Sequence, residues 1–230
     1  MLEELLHEME STQGSFCQLL EKEKMIVGIC GGSGAGKTTL LRRLRSHFSA
    51  LKPSVFVMDN YYQSIDKQVK DEKGHYNFDL PTALDQQKLT ADLAKLQAQE
   101  HVVVKEYHFN APPDKHIFVT VEPSELIFVE GLFLFHYEGV RSKLDFSIFI
   151  DVDPSVQLDR RLYRDQETRG YSREDILYQW KNHVAPCYEN YLLPYKEGAD
   201  FQFRNDSNSD HDFELLVKEI ALKMEQTQTC

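Results

Sequence analysis

Short, nearly unbroken apolar runs alternate along this chain with stretches whose apolar residues recur every three or four positions. Met25–Cys30 is the first run and leads into a cluster of glycines, the pattern of a parallel strand buried on both faces. Lys37–Phe48 then places Leu40, Leu41, Leu44 and Phe48 on one helical face. Val55–Met58 predicts a second buried strand ending at Asp59, and residues 83–99 predict a helix with Leu84, Leu89, Leu93 and Leu96 turned inward. His101–Phe109 is rich in β-formers, and Val119–Val121 can pair with part of it. Leu126–Val129 and Phe146–Ile150 predict two more buried strands, each ending in a carboxylate. Residues 154–168 and 173–190 read as helices, and Phe213–Gln226 as an amphipathic closing helix. Near the start, Leu2, Leu5, Leu6, Met9, Phe16, Leu19 and Leu20 keep a helical spacing interrupted by Gly14, which predicts one or two short helices packed on the body.

Apolar strands alternating with helices imply crossover units, hence an α/β protein with a mostly parallel sheet covered on both faces. A chain of 230 residues buries enough surface to fold without a disulfide or metal staple. The formal charge of −11, from 37 acidic and 26 basic residues, argues against broad nucleic-acid or anionic-membrane binding. It leaves room for a local basic pocket. The four cysteines lie far apart with no zinc-like spacing, and no apolar run reaches the ~18 residues that span a bilayer. The glutamate-rich start has no basic-then-apolar leader pattern, so a cytoplasmic protein is expected.

The chemistry begins at Gly31-Gly32-Ser33-Gly34-Ala35-Gly36-Lys37-Thr38, which matches G-x-x-x-x-G-K-S/T between a predicted strand and a predicted helix. Glycines let the backbone wrap closely enough for successive N–H groups to face phosphate oxygens, and the next helix presents its positive end to the same anion. Lys37 is placed to reach the β- and γ-phosphates, and the Thr38 hydroxyl to sit on Mg²⁺. Cys30, just before the loop, reads as a buried strand residue. The motif predicts a nucleoside triphosphate site; the remaining residues decide what happens to the γ-phosphate.

Open α/β sheets bind ligands at the carboxyl ends of their strands. Asp59 stands there, either as a base for an acceptor hydroxyl or as a turn residue of Asp59-Asn60-Tyr61-Tyr62. Glu130 follows another strand and fits a carboxylate that holds a metal's water shell. Asp151 and Asp153 read as turn residues before Pro154. Arg160-Arg161-Leu162-Tyr163-Arg164, followed by Arg169-Gly170, concentrates guanidiniums in an acidic protein and suits the spreading charge of a transferring phosphoryl group. Asp159, Asp165 and Glu167 allow the plainer reading of a solvated, salt-bridged helix.

Taken together, Gly31–Thr39, Met58–Tyr62, Asn77-Phe78-Asp79-Leu80-Pro81, Val129-Glu130-Gly131, Arg160–Gly170, Leu193-Pro194 and Ala199-Asp200 resemble the uridine kinase (uridine–cytidine kinase) family. That family lies within a group of P-loop kinases related to phosphoribulokinase and pantothenate kinase. The resemblance implies a P-loop NTPase fold: three-layer α/β/α, a mostly parallel five-stranded sheet, a small β-hairpin acceptor-binding subdomain and a helical lid at about 158–175. Residues 25–230 would form the kinase domain and 1–24 a helical extension. It further implies ATP or GTP with Mg²⁺, held by Gly31, Gly32, Ser33, Gly34, Ala35, Gly36, Lys37, Thr38 and Thr39, with Thr38 and Glu130 at the metal. Asp59 would be the general base facing a ribose 5′-hydroxyl and Asp79 would grip the ribose. Tyr62, Tyr107 and Phe109 would line the acceptor pocket, Gln179 would contact the sugar, and Arg161, Arg164 and Arg169 would be lid arginines.

The expected acceptor is uridine or cytidine, and the resemblance implies a homo-oligomer. Two positions depart from the family pattern. A proline stands where a base-reading histidine is expected in Asn110–His116, leaving His108 or His116 as substitutes, and Tyr171 stands where a lid arginine is expected. These departures keep open another small alcohol acceptor: a different nucleoside, a sugar phosphate or a pantothenate-like molecule. A nucleotide-binding regulatory module is the remaining alternative. Against it, the chain has no N-K-x-D tetrapeptide, and Asp71-Glu72-Lys73-Gly74 matches D-x-x-G only as a polar loop.

Overall fold

The computed structural model describes residues 24–109 and 117–227; the amphipathic N-terminal stretch and the segment containing His116 lie outside them. Five strands form one sheet: β1 (Met25–Gly31), β2 (Ser54–Val57), β5 (Leu126–Gly131), β6 (Phe146–Asp151) and β7 (Phe201–Arg204). Their order is β2-β5-β1-β6-β7, and every pairing is parallel. Each residue of β1 and β5 is buried, because helices cover both faces of the sheet and leave no position for a polar alternation.

The apolar stripes do what their spacing predicts. On one face, Leu40, Leu41 and Leu44 of α1 (Lys37–His47) pack with Val27, Phe128 and Ile148 of the sheet and with Leu216 and Ile220 of α6 (Ser209–Thr227). On the other, Leu89, Leu93 and Leu96 of α2 (Gln86–Gln97) meet Phe56, Ile127 and the short helix α3 (Glu138–Arg141) through Val140. Asp85, not Asp79, caps α2, its carboxylate accepting the Lys88 N–H at 2.9 Å. Asp79 is therefore free of that structural duty.

The β-rich segment pairs as expected: β3 (Val102–Lys105) runs antiparallel to β4 (Phe118–Val121) as a separate hairpin. Helix α4 (Pro154–Arg169) opens with Pro154 in its first turn and Asp153 as its cap, accepting the Ser155 N–H at 2.8 Å, so Asp153 is structural. Asp151 is held by Lys196 at 2.9 Å. After α5 (Arg173–Gln179) the helical run continues to Leu192 through two wide π-helical turns, Trp180–Val184 and Tyr188–Leu192. Among the described residues no helix is long and apolar enough to cross a membrane.

Candidate functional site: a phosphate loop facing a carboxylate pocket

Strand β1 lies between β5 and β6, so its loop opens between Glu130 and Asp151 at the carboxyl edge of the sheet. Gly34 adopts a φ of 83°, and a Cβ there would sit 2.5 Å from the Gln157 carbonyl oxygen. Only glycine lets the loop pass so close to α4. Helix α1 begins at Gly36 with no side chain capping it, which leaves its first N–H groups for an anion. Lys37 bends back over the loop, donating to the carbonyls of Gly31 at 3.1 Å and Gly32 at 3.2 Å, and its Nζ lies 3.9 Å from Glu130. Thr38 and Thr39 are exposed at the helix start.

Glu130 is the penultimate residue of β5, directly across the register from Val57 of β2. Burial pushes its carboxyl up to about 7; Lys37 opposes the rise and Asp59 adds to it. The next residue, Gly131, is required because a Cβ there would meet Met58 Cβ at 2.4 Å. That close approach brings Met58 and Asp59 over the end of β5. Asp59 is likewise raised by burial, opposed by Lys37, Arg169 and Arg164 and reinforced by Asp79. Asp79 is raised by burial and opposed by Arg161, His183, Lys37 and Arg164. Tyr62 feels both carboxylates: burial lifts its phenol well above the usual range, with Asp59, Asp79 and Tyr107 adding to the shift. The predicted loop, base and ribose residues therefore share one electrostatic neighbourhood.

A ring wall closes its far side. Tyr62 packs against Tyr107 at 5.1 Å and edge-on against Phe78 at 6.0 Å. Phe109 meets Tyr171 at 5.8 Å and carries the Arg169 guanidinium 4.4 Å above its face. His108 turns to Glu106 on the exposed side. A cavity of about 90 Å³ lies on the Asp79 side of the site, lined by Ser33, Asp79, Leu132, Trp180, Cys187 and Tyr188 among others; Asp59 and the rings of Tyr62, Tyr107 and Phe109 stand outside its lining.

The arginines converge, and the solvated-helix reading of their acidic neighbours is wrong for Asp165. Its carboxylate is fully buried and faces Arg161 Nε at 3.2 Å, Arg164 Nε at 2.7 Å and Arg169 Nε at 3.4 Å. Arg161 also donates to Ser33 Oγ of the phosphate loop at 2.9 Å and to Gln179 at 3.0 Å. Arg160 points elsewhere, to the carbonyls of Gly34 and Ala35 at 3.4 Å and of Asn205 at 3.1 Å, while Asn205 Nδ2 donates to Ala35 at 2.7 Å. Asp165 and Asn205 are parts that sequence reasoning missed. The i−4 and i+4 spacing of Asp165 to Arg161 and Arg169 was the available signal for the first. Nothing local signals the second. Cys30 is a buried strand thiol donating to the Leu132 carbonyl, and burial pushes its pKa up to about 12, so it is inert as expected.

Glu130 gives a stability prediction. Its folded pKa lies above the usual value of about 4.3, so ionisation costs the free protein stability as pH rises through the interval up to about 7. Below that interval the neutral acid is fully accommodated. Glu130→Gln is expected to melt roughly 2–6 °C higher than wild type at pH 8 and no higher at pH 4. Paired thermal melts at the two pH values check this.

The chain has known relatives. Residues 26–212 match the Phosphoribulokinase / Uridine kinase family. "Uridine-cytidine kinase A" of Dictyostelium discoideum is 31% identical over 205 residues, 89% of this chain but only 41% of that protein. "Uridine-cytidine kinase B" of the same organism is 28% identical over 90% of this chain and 86% of its own length. A "Uridine kinase" of Anoxybacillus flavithermus is 28% identical over 90% of this chain and 98% of its own. Among solved structures, a "Possible Uridine Kinase" from Bacillus stearothermophilus superimposes with a TM-score of 0.60 at 20% identity, covering 87% of this chain and 99% of that one. The last likeness concerns fold alone. With a family match over most of its length and a P-loop kinase fold around the loop at Gly31–Thr38, the chain belongs to the phosphoribulokinase/uridine kinase family.

Proposed function

We propose that this protein transfers the γ-phosphoryl group of a nucleoside triphosphate to the 5′-hydroxyl of uridine or cytidine. The observation that carries the reading is the joint placement of Asp59: it follows β2 in the tight turn Met58–Tyr61, which packs on Gly131 at the end of β5, and the charges of Lys37, Arg164, Arg169 and Asp79 all bear on its carboxyl. In this reading the loop amides and Lys37 hold the triphosphate. Asp59 accepts the hydroxyl proton, and Asp79 orients the sugar through paired hydrogen bonds. Tyr62, Tyr107 and Phe109 stack on the base, and Gln179 and the arginines close from the lid at about 158–175. Positioning and charge stabilisation supply most of the rate.

A magnesium ion bound with ATP would find Glu130 and the Thr38 hydroxyl beside the loop. The fit rests on Glu130, a buried carboxylate whose single cation among the described residues, Lys37, stands 3.9 Å away and neutralises it incompletely. Among the described residues no three His, Cys, Asp or Glu side chains cluster as a metal cage. A phosphate-borne Mg²⁺ needs only one or two protein oxygens. When bound, the ion supplies charge neutralisation at the β- and γ-phosphates.

One observation favours a second reading, a different small alcohol as acceptor. Phe109 packs against Tyr171 and carries Arg169 on its face, so the described residues beside the segment that lacks the expected base-reading histidine form an aromatic wall. A stacking wall discriminates between bases less sharply than hydrogen-bonding groups do. An ADP-release assay over uridine, cytidine, other nucleosides, sugar phosphates and pantothenate separates the readings. Stimulation by uridine or cytidine is expected, whereas indifference to both with turnover of another alcohol would replace the first reading by the second. Slow hydrolysis that no acceptor stimulates would point to a regulatory module.

A further inference from the structure

The D-x-x-G stretch that the nucleotide site does not use turns out to organise the acceptor side. Residues 69–77 form a narrow turn: Asp71 N–H donates to the His75 carbonyl at 2.9 Å, Asn77 N–H to Val69 at 2.8 Å, and Lys70 bridges Tyr76. Within it, Asp71 Oδ1 accepts the N–H groups of Lys73 and His75, both at 2.9 Å. Its other oxygen reaches across the molecule. Oδ2 accepts from Tyr178 Oη at 2.8 Å and lies 2.9 Å from His183 Nε2, more than 100 residues along the chain.

Beyond its own backbone bonds, this turn is ordered by exposed contacts: Lys70 over the Tyr76 ring at 4.5 Å and Tyr76 against Phe78 at 6.4 Å. Glu72, Lys73, Gly74, His75 and Tyr76 are exposed, so no buried apolar side chain of their own offsets the entropy of fixing them. By contrast, the His183 side chain is 2% exposed and that of Asp71 17%. Such a largely desolvated, charge-assisted contact is strong when intact and costly when one partner is removed. Burial alone would raise the Asp71 carboxyl, but the donors from Tyr178, His183, His75 and Lys73 outweigh it and hold the group well below the usual range. The ring of Tyr178 adds His75 at 4.8 Å and the Lys73 ammonium at 4.6 Å.

The turn leads straight into the pocket. Asn77 Oδ1 accepts the Asp79 N–H at 2.9 Å, and Phe78 sits against Tyr62. The opposite jaw is equally well placed. Tyr178 precedes Gln179, which holds Arg161, and Trp180 and Cys187 share the cavity with Asp79. The wide turn Trp180–Val184 contains His183 itself. A single helical run is thus tied to the acceptor turn on one side and to a lid arginine on the other.

We propose that Asp71, His183 and Tyr178 form a clasp that positions Phe78 and Asp79, making Asp71 and His183 determinants of acceptor affinity and not of nucleotide affinity. The proposal rests on the acceptor reading above. His183→Phe keeps a ring of similar size but donates nothing; the acceptor KM is expected to rise about tenfold while the ATP KM stays within about twofold. His183→Gln, which retains an N–H donor, should recover part of the loss. Asp71→Asn, on a partly exposed turn, keeps the test available should the His183→Phe protein fail to fold, and should also raise the acceptor KM. Because the residues act as one unit, the double variant should cost no more than the worse single one. Amide hydrogen exchange across 70–79 should quicken in each weakened variant.

Unchanged acceptor KM in folded His183→Phe or Asp71→Asn, a parallel rise in the ATP KM, or strictly additive effects would overturn the clasp alone. A wild-type protein that phosphorylates none of the acceptors would instead overturn the reading beneath it.

Discussion

Asp59→Asn is expected to lower kcat by about 10²–10⁴-fold while nucleotide affinity holds or tightens slightly. The amide fills the same volume but can neither take a proton nor carry charge. Lys37, Arg164 and Arg169 all pull on the Asp59 carboxyl. Removing its negative charge therefore leaves more cationic character for a triphosphate, which sets the sign of the change in affinity. A pH profile supplies an independent check. Burial raises the Asp59 pKa, so kcat/KM should climb with pH along an acid limb centred above the usual carboxylate range. In Asp59→Asn that limb should vanish. Wild-type turnover with an unaltered limb would remove Asp59 from the chemistry.

The second large effect belongs to Asp165. Three guanidiniums share this fully buried carboxylate, and Arg169 is already pushed down, first by burial and then by Arg164 and Arg161, with Asp165 opposing the shift. Asp165→Asn leaves the three cations facing one another without a counter-charge. Breaking a buried pair on one side costs about 3–5 kcal/mol, which lowers the melting temperature by roughly 6–15 °C. Assayed below that temperature, kcat should still fall at least tenfold, because Arg161 loses the contact that helps hold it against Ser33 and Gln179. A melting temperature within about 2 °C of wild type would show that Asp165 does not organise the three arginines.

Features written in local pattern were legible in the sequence. The loop at Gly31–Thr38 combines a buried strand, tight glycines and a helix start, and each imposes its own residue type. The α1 and α2 stripes and the β3–β4 pair follow from period and β-propensity alone. Strand-end carboxylates were visible because buried parallel strands are so uniformly apolar that Asp59 and Glu130 stand out. Other features depend on chain segments meeting in space. Strand β7 is four residues long at the sheet edge, with Phe203 buried and Gln202 and Arg204 outside, too short a pattern to read in isolation. In sequence Asp165 looks like any surface acid of a charged helix; its burial depends on α4 lying against the loop at Gly31–Thr38, with Arg161 on Ser33. Asp71 and His183 lie 112 residues apart, and the turn holding Asp71 is polar apart from the exposed Val69 and Tyr76. Neither local propensity nor spacing could have paired them.

The central claim is geometric: the loop at Gly31–Thr38 aims a terminal phosphate at an acceptor alcohol resting on Asp59. A crystal structure with a non-hydrolysable ATP analogue, magnesium and uridine or cytidine tests it directly. The expected structure has the triphosphate on the loop amides, the 5′-oxygen within hydrogen-bond distance of Asp59 and in line with the γ-phosphorus, and the ribose diol on Asp79. A nucleotide bound away from the loop, or a nucleoside whose 5′-oxygen lies beyond the reach of Asp59, would contradict it.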